Sequence, residues 1–229
     1  MKKHDKQLVM VAMGGHAFIG KGEKGTYDDH VRNSDKIAQC LMHLVDRDYD
    51  LVVTHGNGPQ VGTLLRQNEM SRDELPDDPL DVLVAMTEGS LGYYMQQSLL
   101  NALRVRDIRR YVVTVITQVL VDQDDPAFDD PSKPIGPFLS REEAEMRRDT
   151  LGWKIREDVG RGWRRLVPSP NPLKVIQRHM IRDTARAGHI VVACGGGGIP
   201  IRIGADNRYC GVEAVIDKDQ TSSVLASNI

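Results

Sequence analysis

The sequence has no apolar run long enough to cross a membrane. Its first apolar stretch, Leu8 to Ala12, is far shorter than the roughly 20 residues that a membrane helix needs, and it is also too short for the core of a signal peptide. No later apolar run approaches that length. We therefore expect a soluble, cytoplasmic protein with no membrane partner.

Cysteine is scarce as well. The three cysteines, Cys40, Cys194 and Cys210, show no metal-type pairing. An odd, sparse set favours reduced thiols in the cytosol over a disulfide framework. Each cysteine is expected to act mainly as a small apolar filler.

Neither sign of charge is in excess. The sequence has 30 lysines and arginines against 32 aspartates and glutamates, a net charge of −2. Such a balance gives no general attraction to nucleic acid or to anionic membranes, so no nucleic-acid partner is expected. Any phosphate binding must come from a local arrangement of residues.

The order of apolar and mixed segments predicts an α/β fold. Short apolar runs predict strands, and longer segments with apolar residues at helical spacing predict helices. The alternation of strand, glycine turn and helix is typical of a mostly parallel sheet. Strands are predicted at residues 8–13, 50–54, 111–122 and 189–193, with a possible further strand at 211–216; helices are predicted at residues 34–46, 79–103 and 171–187.

Two stretches break this alternation. Residues 122–137 carry several aspartates among four prolines, and residues 141–170 are strongly charged. The prolines are incompatible with a regular helix or a central strand. We expect residues 122–170 to form a small protruding lid, between an α/β lobe at residues 1–121 and a remainder at 171–229. Asp122, Asp124 and Asp125 suit turn capping as well as metal binding, and no metal site is predicted there.

Three glycine turns follow predicted strands: Gly14-Gly15, Gly56-Asn57-Gly58, and the run Gly195, Gly196, Gly197 and Gly198. Ligands of parallel α/β sheets collect at the carboxyl ends of strands, and glycine lets backbone N–H groups approach an anion closely. The turns match neither a P-loop nor a dinucleotide fingerprint. One such turn is weak evidence, but three at equivalent strand ends favour an anion site.

Two lysines are candidates to supply positive charge to this anion site. Lys218 lies between Asp217 and Asp219 at the end of an apolar run, and Lys133 lies in a proline-bounded loop. A lysine held by carboxylates supplies the positive charge that a moving phosphoryl group needs. The alternatives are a solvated surface cluster for Lys218 and an exposed linker lysine for Lys133. Arg161, Arg164 and Arg165 are candidates for a basic patch near the lid.

Taken in order, these strings resemble the carbamate kinases of the amino acid kinase superfamily. The resemblance implies reversible phosphoryl transfer between ATP and carbamate, giving ADP and carbamoyl phosphate. It also implies an open αβα sandwich, Mg²⁺ with the nucleotide, a homodimer and a place in arginine metabolism. The matching strings lie at residues 14–17, 54–62, 79–82, 92–93, 125–128, 133–137, 162–170, 195–198 and 211–219.

The resemblance also assigns roles to single residues. Lys218 would stabilise the phosphoryl group in flight, Asp219 would orient Lys218, and Lys133 would reach in from the lid. The acceptor and phosphate site would be lined by Gly14, Gly15, His16, Gly56, Asn57, Gly58 and the four glycines at 195–198.

The sequence departs from the family pattern in three places, and two of them, His16 and the point where the sequence stops, favour a rival hypothesis. His16 replaces the usual Asn, so that it either donates to a phosphate oxygen or crowds the site. Glu88 replaces the usual Gln near the dimer face or the site. The sequence given stops at Ile229, where family members continue into most of the nucleotide-binding lobe. The rival is a non-catalytic or split homologue that binds carbamoyl phosphate or a partner subunit.

Overall fold

The computed structural model describes residues 6–229, in which strands and helices alternate. Residues 1–5, which belong to the N-terminal segment predicted not to be a signal peptide, lie outside the described part. The strands are β1 (Leu8–Met13), β2 (Asp50–His55), β3 (Val112–Thr114), β4 (Gln118–Val121), β5 (Lys133–Leu139), β6 (Lys154–Asp158), β7 (Gly162–Val167), β8 (Pro172–Val175), β9 (Ile190–Val192), β10 (Ile199–Ile203) and β11 (Tyr209–Gly211). The α-helices are α1 (Tyr27–Val45), α2 (Gly58–Ser71), α3 (Leu80–Val105), α4 (Arg141–Leu151), α5 (Arg178–Arg186) and α6 (Lys218–Ala226).

The central sheet is parallel and is covered on both faces. Its strand order is β1-β2-β9-β3, and every pairing within it is parallel. Alternate residues of a strand point to opposite faces, so Leu51 and Val53 pack with α1 and α3, whereas Val52 packs with α5 and α6. The predicted αβα sandwich with a mostly parallel sheet is confirmed.

A second sheet continues from the first. Its order is β11-β10-β4-β8, with β4 parallel to β10 and with β8 and β11 antiparallel to their neighbours. The chain passes from β3 to β4 through residues 115–117, and from β9 to β10 through the glycine run. The Ile199 N–H donates to the Thr117 carbonyl at 2.8 Å. This hydrogen bond connects the two segments that pass from the first sheet to the second. The glycine run therefore lies at the junction of the two sheets.

A third, antiparallel sheet of order β5-β7-β6 lies within residues 122–170, together with α4. Pro134 and Pro137 are in its edge strand β5. An edge strand tolerates proline because the absent N–H does not remove a hydrogen bond from the sheet. Arg165 lies over the Trp153 ring at 4.8 Å from its centroid. Asp125 accepts from the N–H groups of Ala127 and Asn171, at 2.9 Å each, so it caps a turn.

The predicted element boundaries were wrong in four places. The helix predicted from residue 34 begins at Tyr27. The helix predicted from residue 171 begins only at Arg178, because residues 172–175 form β8 against β4. The strand predicted over 111–122 is interrupted at the sheet junction. The strand predicted over 211–216 ends at Gly211.

The longest described helix is α3, with 26 residues. One side packs in the core through Leu91, Met95 and Leu99, while Glu88 on the same helix reaches the sheet junction. No helix within residues 6–229 is both long and apolar enough to cross a membrane.

Candidate active site

The three glycine turns meet in one cavity at the carboxyl ends of the parallel strands. They follow β1, β2 and β9, as the sequence predicted from their positions. The cavity has a volume of about 310 Å³. The predicted site residues that line it are Gly15, His16, Gly56, Asn57, Gly58, Lys133, Gly196, Lys218 and Asp219.

The first two turns pack backbone against backbone. A Cβ built on Gly56 would lie 2.7 Å from the Gly15 nitrogen, closer than any side-chain atom fits. Helix α2 begins at Gly58 with no side-chain cap on its N-terminus. The first N–H groups of an α-helix have no partner within the helix, so they are available to an anion in this cavity.

The third turn requires glycine for conformational reasons. Gly196, Gly197 and Gly198 have φ values of +67°, +97° and +88°. A Cβ on Gly196 would overlap the side-chain amide of Asn57, and one on Gly197 would lie 2.9 Å from the Ile216 carbonyl carbon. The run is thus held tightly between β2 and the segment that leads into α6.

The two lysines that line the cavity come from different elements. Lys218 is the first residue of α6, and its Nζ donates to Asp219 Oδ1. Lys133 comes from β5, and its Nζ lies 2.7 Å from Asp217 Oδ2. Two ammonium groups therefore face one cavity, each fixed by its own carboxylate.

Asp217 is a site residue that the sequence did not identify. Its Oδ1 caps α6 by accepting from the N–H groups of Asp219 at 2.9 Å and Gln220 at 3.3 Å, while its Oδ2 accepts from Lys133. Although burial raises the pKa of Asp217, the bonds from Lys133 and the backbone bring it below its usual value. Its position just before a helix was the available sequence signal, but its pairing with Lys133 spans 84 residues of chain.

Some predicted residues lie outside the lining of the cavity. Gly14 is exposed in the bend before it, and Gly198 packs on Val119. Gly195 and Gly197 are buried in the base of the loop. His16 is exposed at the rim, so its imidazole does not fill the site.

Two buried titratable groups lie beneath the glycine run. A Cβ on Gly195 would come within 2.9 Å of both the His55 ring and Glu88 Cγ. Burial lowers the pKa of His55 to about 4, and its Nδ1 donates to the Gly56 carbonyl at 3.1 Å. Burial also raises the pKa of Glu88 well above its usual value, against the opposing effect of the Thr117 and Gly195 N–H groups. Burial therefore favours the uncharged form of both side chains.

Glu88 is held by one oxygen. Its Oε2 accepts from the Thr117 N–H at 2.8 Å, whereas its Oε1 is buried with no hydrogen-bond partner in the described structure. A protonated carboxyl and a carboxamide have nearly the same shape, and both offer one acceptor and a donor. Glutamine would therefore fit this position without carrying a titratable proton.

We expect Glu88→Gln to change the pH dependence of stability. The native carboxyl keeps its proton above pH 4.5 while the unfolded one loses it, so native stability falls as pH rises from that value toward the folded pKa. Glu88→Gln has no titratable proton at this position, so its stability does not fall with pH for this reason. Above pH 4.5 and up to the raised folded pKa of Glu88, the free energy of unfolding of Glu88→Gln should rise with pH relative to that of the parent protein, by at most about 1.4 kcal/mol per pH unit.

Urea unfolding at a series of pH values measures this difference. Glu74→Gln is the matched control, because Glu74 is exposed and its substitution removes the same charge. Parallel curves for the parent and Glu88→Gln would show that Glu88 is ionised in the native protein.

Comparisons with known proteins agree with this geometry. Residues 7–229 match the model of the amino acid kinase family. The chain is 46% identical to the carbamate kinase of Pyrococcus horikoshii over 225 residues, covering 97% of this chain and 71% of that protein. It is also 46% identical to the carbamate kinase of Trichomonas vaginalis, over 96% of this chain and 70% of that protein.

Solved structures give the same result. Carbamate kinase from Giardia lamblia bound to citric acid superposes with a TM-score of 0.91 at 38% identity, covering 97% of this chain and 71% of that one. The same enzyme bound to AMP-PNP gives a TM-score of 0.87, covering 97% and 70%. These matches confirm the resemblance on which the sequence prediction rested. The chain belongs to the amino acid kinase family and, within it, to the carbamate kinases.

Proposed function

We propose that this chain transfers a phosphoryl group reversibly between ATP and carbamate, forming ADP and carbamoyl phosphate. The observation that carries the proposal is the convergence of Lys133 and Lys218 on a cavity lined by three glycine turns. Two fixed ammonium groups and free backbone N–H groups suit the charge spread over the oxygens of a phosphoryl group in transfer.

Positioning and charge neutralisation account for the chemistry in this proposal. Carbamate is itself a nucleophile, so no strong general base is needed. The glycine turns and the start of α2 would hold the phosphate and acceptor oxygens. Lys218 and Lys133 would neutralise the transferring group, kept in place by Asp219 and Asp217. Holding the reacting groups in line can itself supply several orders of magnitude in rate.

ATP or ADP with Mg²⁺ is part of the proposal, on the strength of the family. Within residues 6–229 no group of three His, Cys, Asp or Glu residues is placed to hold a metal ion. Asp217 beside the lysines is already engaged by Lys133 and by the helix cap. We therefore derive no step through a protein-bound ion. A homodimer, a cytoplasmic location and a role in arginine metabolism are likewise proposed from the family.

The test is ATP formation by the 229-residue chain from ADP and carbamoyl phosphate with Mg²⁺, followed in a coupled assay. Turnover that scales with protein concentration is expected. A folded sample without turnover would contradict the proposal and favour the rival, a binding or split homologue. Retained binding of carbamoyl phosphate without turnover would then identify that rival directly.

A further inference from the structure

A second cavity adjoins the first and is lined by arginines. It has a volume of about 520 Å³ and shares His16, Gly58 and Pro59 with the cavity that holds the lysines. Its other walls are α2 and the sheet β5-β7-β6. Three arginines line it, Arg66 from α2, Arg161 from the turn before β7 and Arg164 from β7, and its lining contains no acidic residue. We call it the arginine cavity.

The three arginines lack carboxylate partners. No ion pair within 4.0 Å involves Arg66, Arg161 or Arg164 in the described part of the chain. The three arginines of the adjoining helix α4 are paired. Arg141 bonds Glu145, Arg147 bonds Glu69 and Arg148 bonds Asp149. Arg156 of β6 and Arg165 of β7 also lack a carboxylate partner in the described part of the chain, but neither lines the arginine cavity, whereas all three arginines that line it are unpaired.

Arg164 is the most constrained member. Its guanidinium lies over the Phe138 ring at 5.2 Å from the centroid, and its Nη2 donates to the Pro134 carbonyl at 3.1 Å. Its Nε is buried and has no hydrogen-bond partner within residues 6–229. Burial lowers the pKa of Arg164; Asp158 opposes that shift and the nearby charge of Arg161 adds to it. A half-buried cation beside a like charge is unfavourable unless an anion joins them.

We propose that the arginine cavity is a subsite for a phosphoryl dianion, and that it receives the phosphate group of the acyl phosphate substrate before that substrate moves to the lysines. This rests on the proposed function. Arginine binds phosphate through paired, charge-assisted hydrogen bonds. The two cavities adjoin at His16, Gly58 and Pro59, which line both of them, so the path from the arginines to the lysines is short.

The binding test uses inorganic phosphate and does not depend on turnover. Titration calorimetry on Lys133→Ala/Lys218→Ala protein isolates the arginine cavity, because both lysines of the neighbouring site are removed. Phosphate should bind this background. Adding Arg161→Gln and Arg164→Gln should weaken binding at least tenfold, as expected when charge-assisted hydrogen bonds are lost. Arg148→Gln, an exposed arginine of the same unit, should leave it unchanged.

A second pair of substitutions guards against misfolding. Arg66 and Arg161 are both exposed, so Arg66→Gln/Arg161→Gln should fold normally and also weaken phosphate binding. Failure of phosphate to bind the lysine-free background, or equal binding by all arginine variants, would overturn the subsite.

A kinetic test identifies the source of the phosphate. In protein with both lysines present, Arg66→Gln/Arg161→Gln should raise KM for carbamoyl phosphate about tenfold, with smaller changes in kcat and in KM for ADP. A rise confined to KM for ADP would overturn the assignment to the acyl phosphate. If no form of the chain turns over, the proposed function fails while the phosphate titration still decides the subsite.

Discussion

Lys218→Ala is expected to lower the rate of phosphoryl transfer by roughly 10²- to 10⁴-fold, the range seen when one charge that stabilises a transition state is removed. Lys218 begins α6 and its ammonium lies in the cavity where the three glycine turns meet. Alanine suits the first turn of a helix, and the ion pair that is lost involves the exposed Asp219. Turnover should therefore fall while the fold persists.

Initial rates of ATP formation, with a thermal melt on each sample, measure this prediction. The matched control is Lys36→Ala, which removes an exposed lysine of α1 and should leave the rate unchanged. A Lys218→Ala protein that keeps more than about a tenth of the parent rate would exclude Lys218 from the transition-state role. A large drop in melting temperature would assign it a structural role instead.

The sequence predicted the central sheet and the meeting of the glycine turns for one physical reason. Buried parallel strands read as short apolar runs, and their carboxyl ends lie at one edge. The apolar runs of β1, β2 and β9 carry that signal, and the turns after them line one cavity. Local pattern was sufficient because parallel pairing itself brings distant turns together.

Pairings between distant segments could not be predicted in the same way. The contact between Lys133 and Asp217 depends on how β5 lies against the start of α6. Glu88 has the sequence context of an ordinary helical residue, and its burial at the junction of two sheets depends on the break between β3 and β4. The strand β8 was mistaken for helix because its identity is set by pairing with β4.

The arginine cavity shows the same limit. The sequence of residues 161–165 predicts a basic patch. It does not show which of these arginines contact another side chain and which face a cavity. In the structure Arg165 covers Trp153, whereas Arg161 and Arg164 face a cavity next to the lysines. The position of His16 on the rim of both cavities follows from the bend after β1.

Gly197→Ala is expected to destabilise the protein by about 2 to 6 kcal/mol. Alanine at a φ of +97° is strained, which alone costs on the order of 1 to 3 kcal/mol. Its Cβ would also overlap the Ile216 carbonyl oxygen, a backbone atom that cannot rotate away, and forced backbone shifts cost about 1 to 3 kcal/mol more. Urea unfolding gives the combined effect.

Gly188→Ala separates the two contributions. Gly188 has a φ of +91°, and a Cβ there meets nothing within 4 Å, so this variant carries the conformational strain without the overlap. Equal destabilisation by the two variants would show that the loop yields freely at Gly197. Such freedom would weaken the case for a rigid phosphate-binding loop.

Gly197→Ala should also reduce turnover in the molecules that remain folded. The Gly197 carbonyl accepts from Thr221 Oγ1 at 2.8 Å, and Thr221 lies in α6, whose first residue is Lys218. A loop displaced by the new Cβ therefore moves the helix that carries the lysine, and misplacement by about 1 Å can cost two orders of magnitude in rate. Rates measured well below the melting temperature should fall for Gly197→Ala and stay at the parent level for Gly188→Ala, because only the first substitution disturbs the contact between the loop and α6.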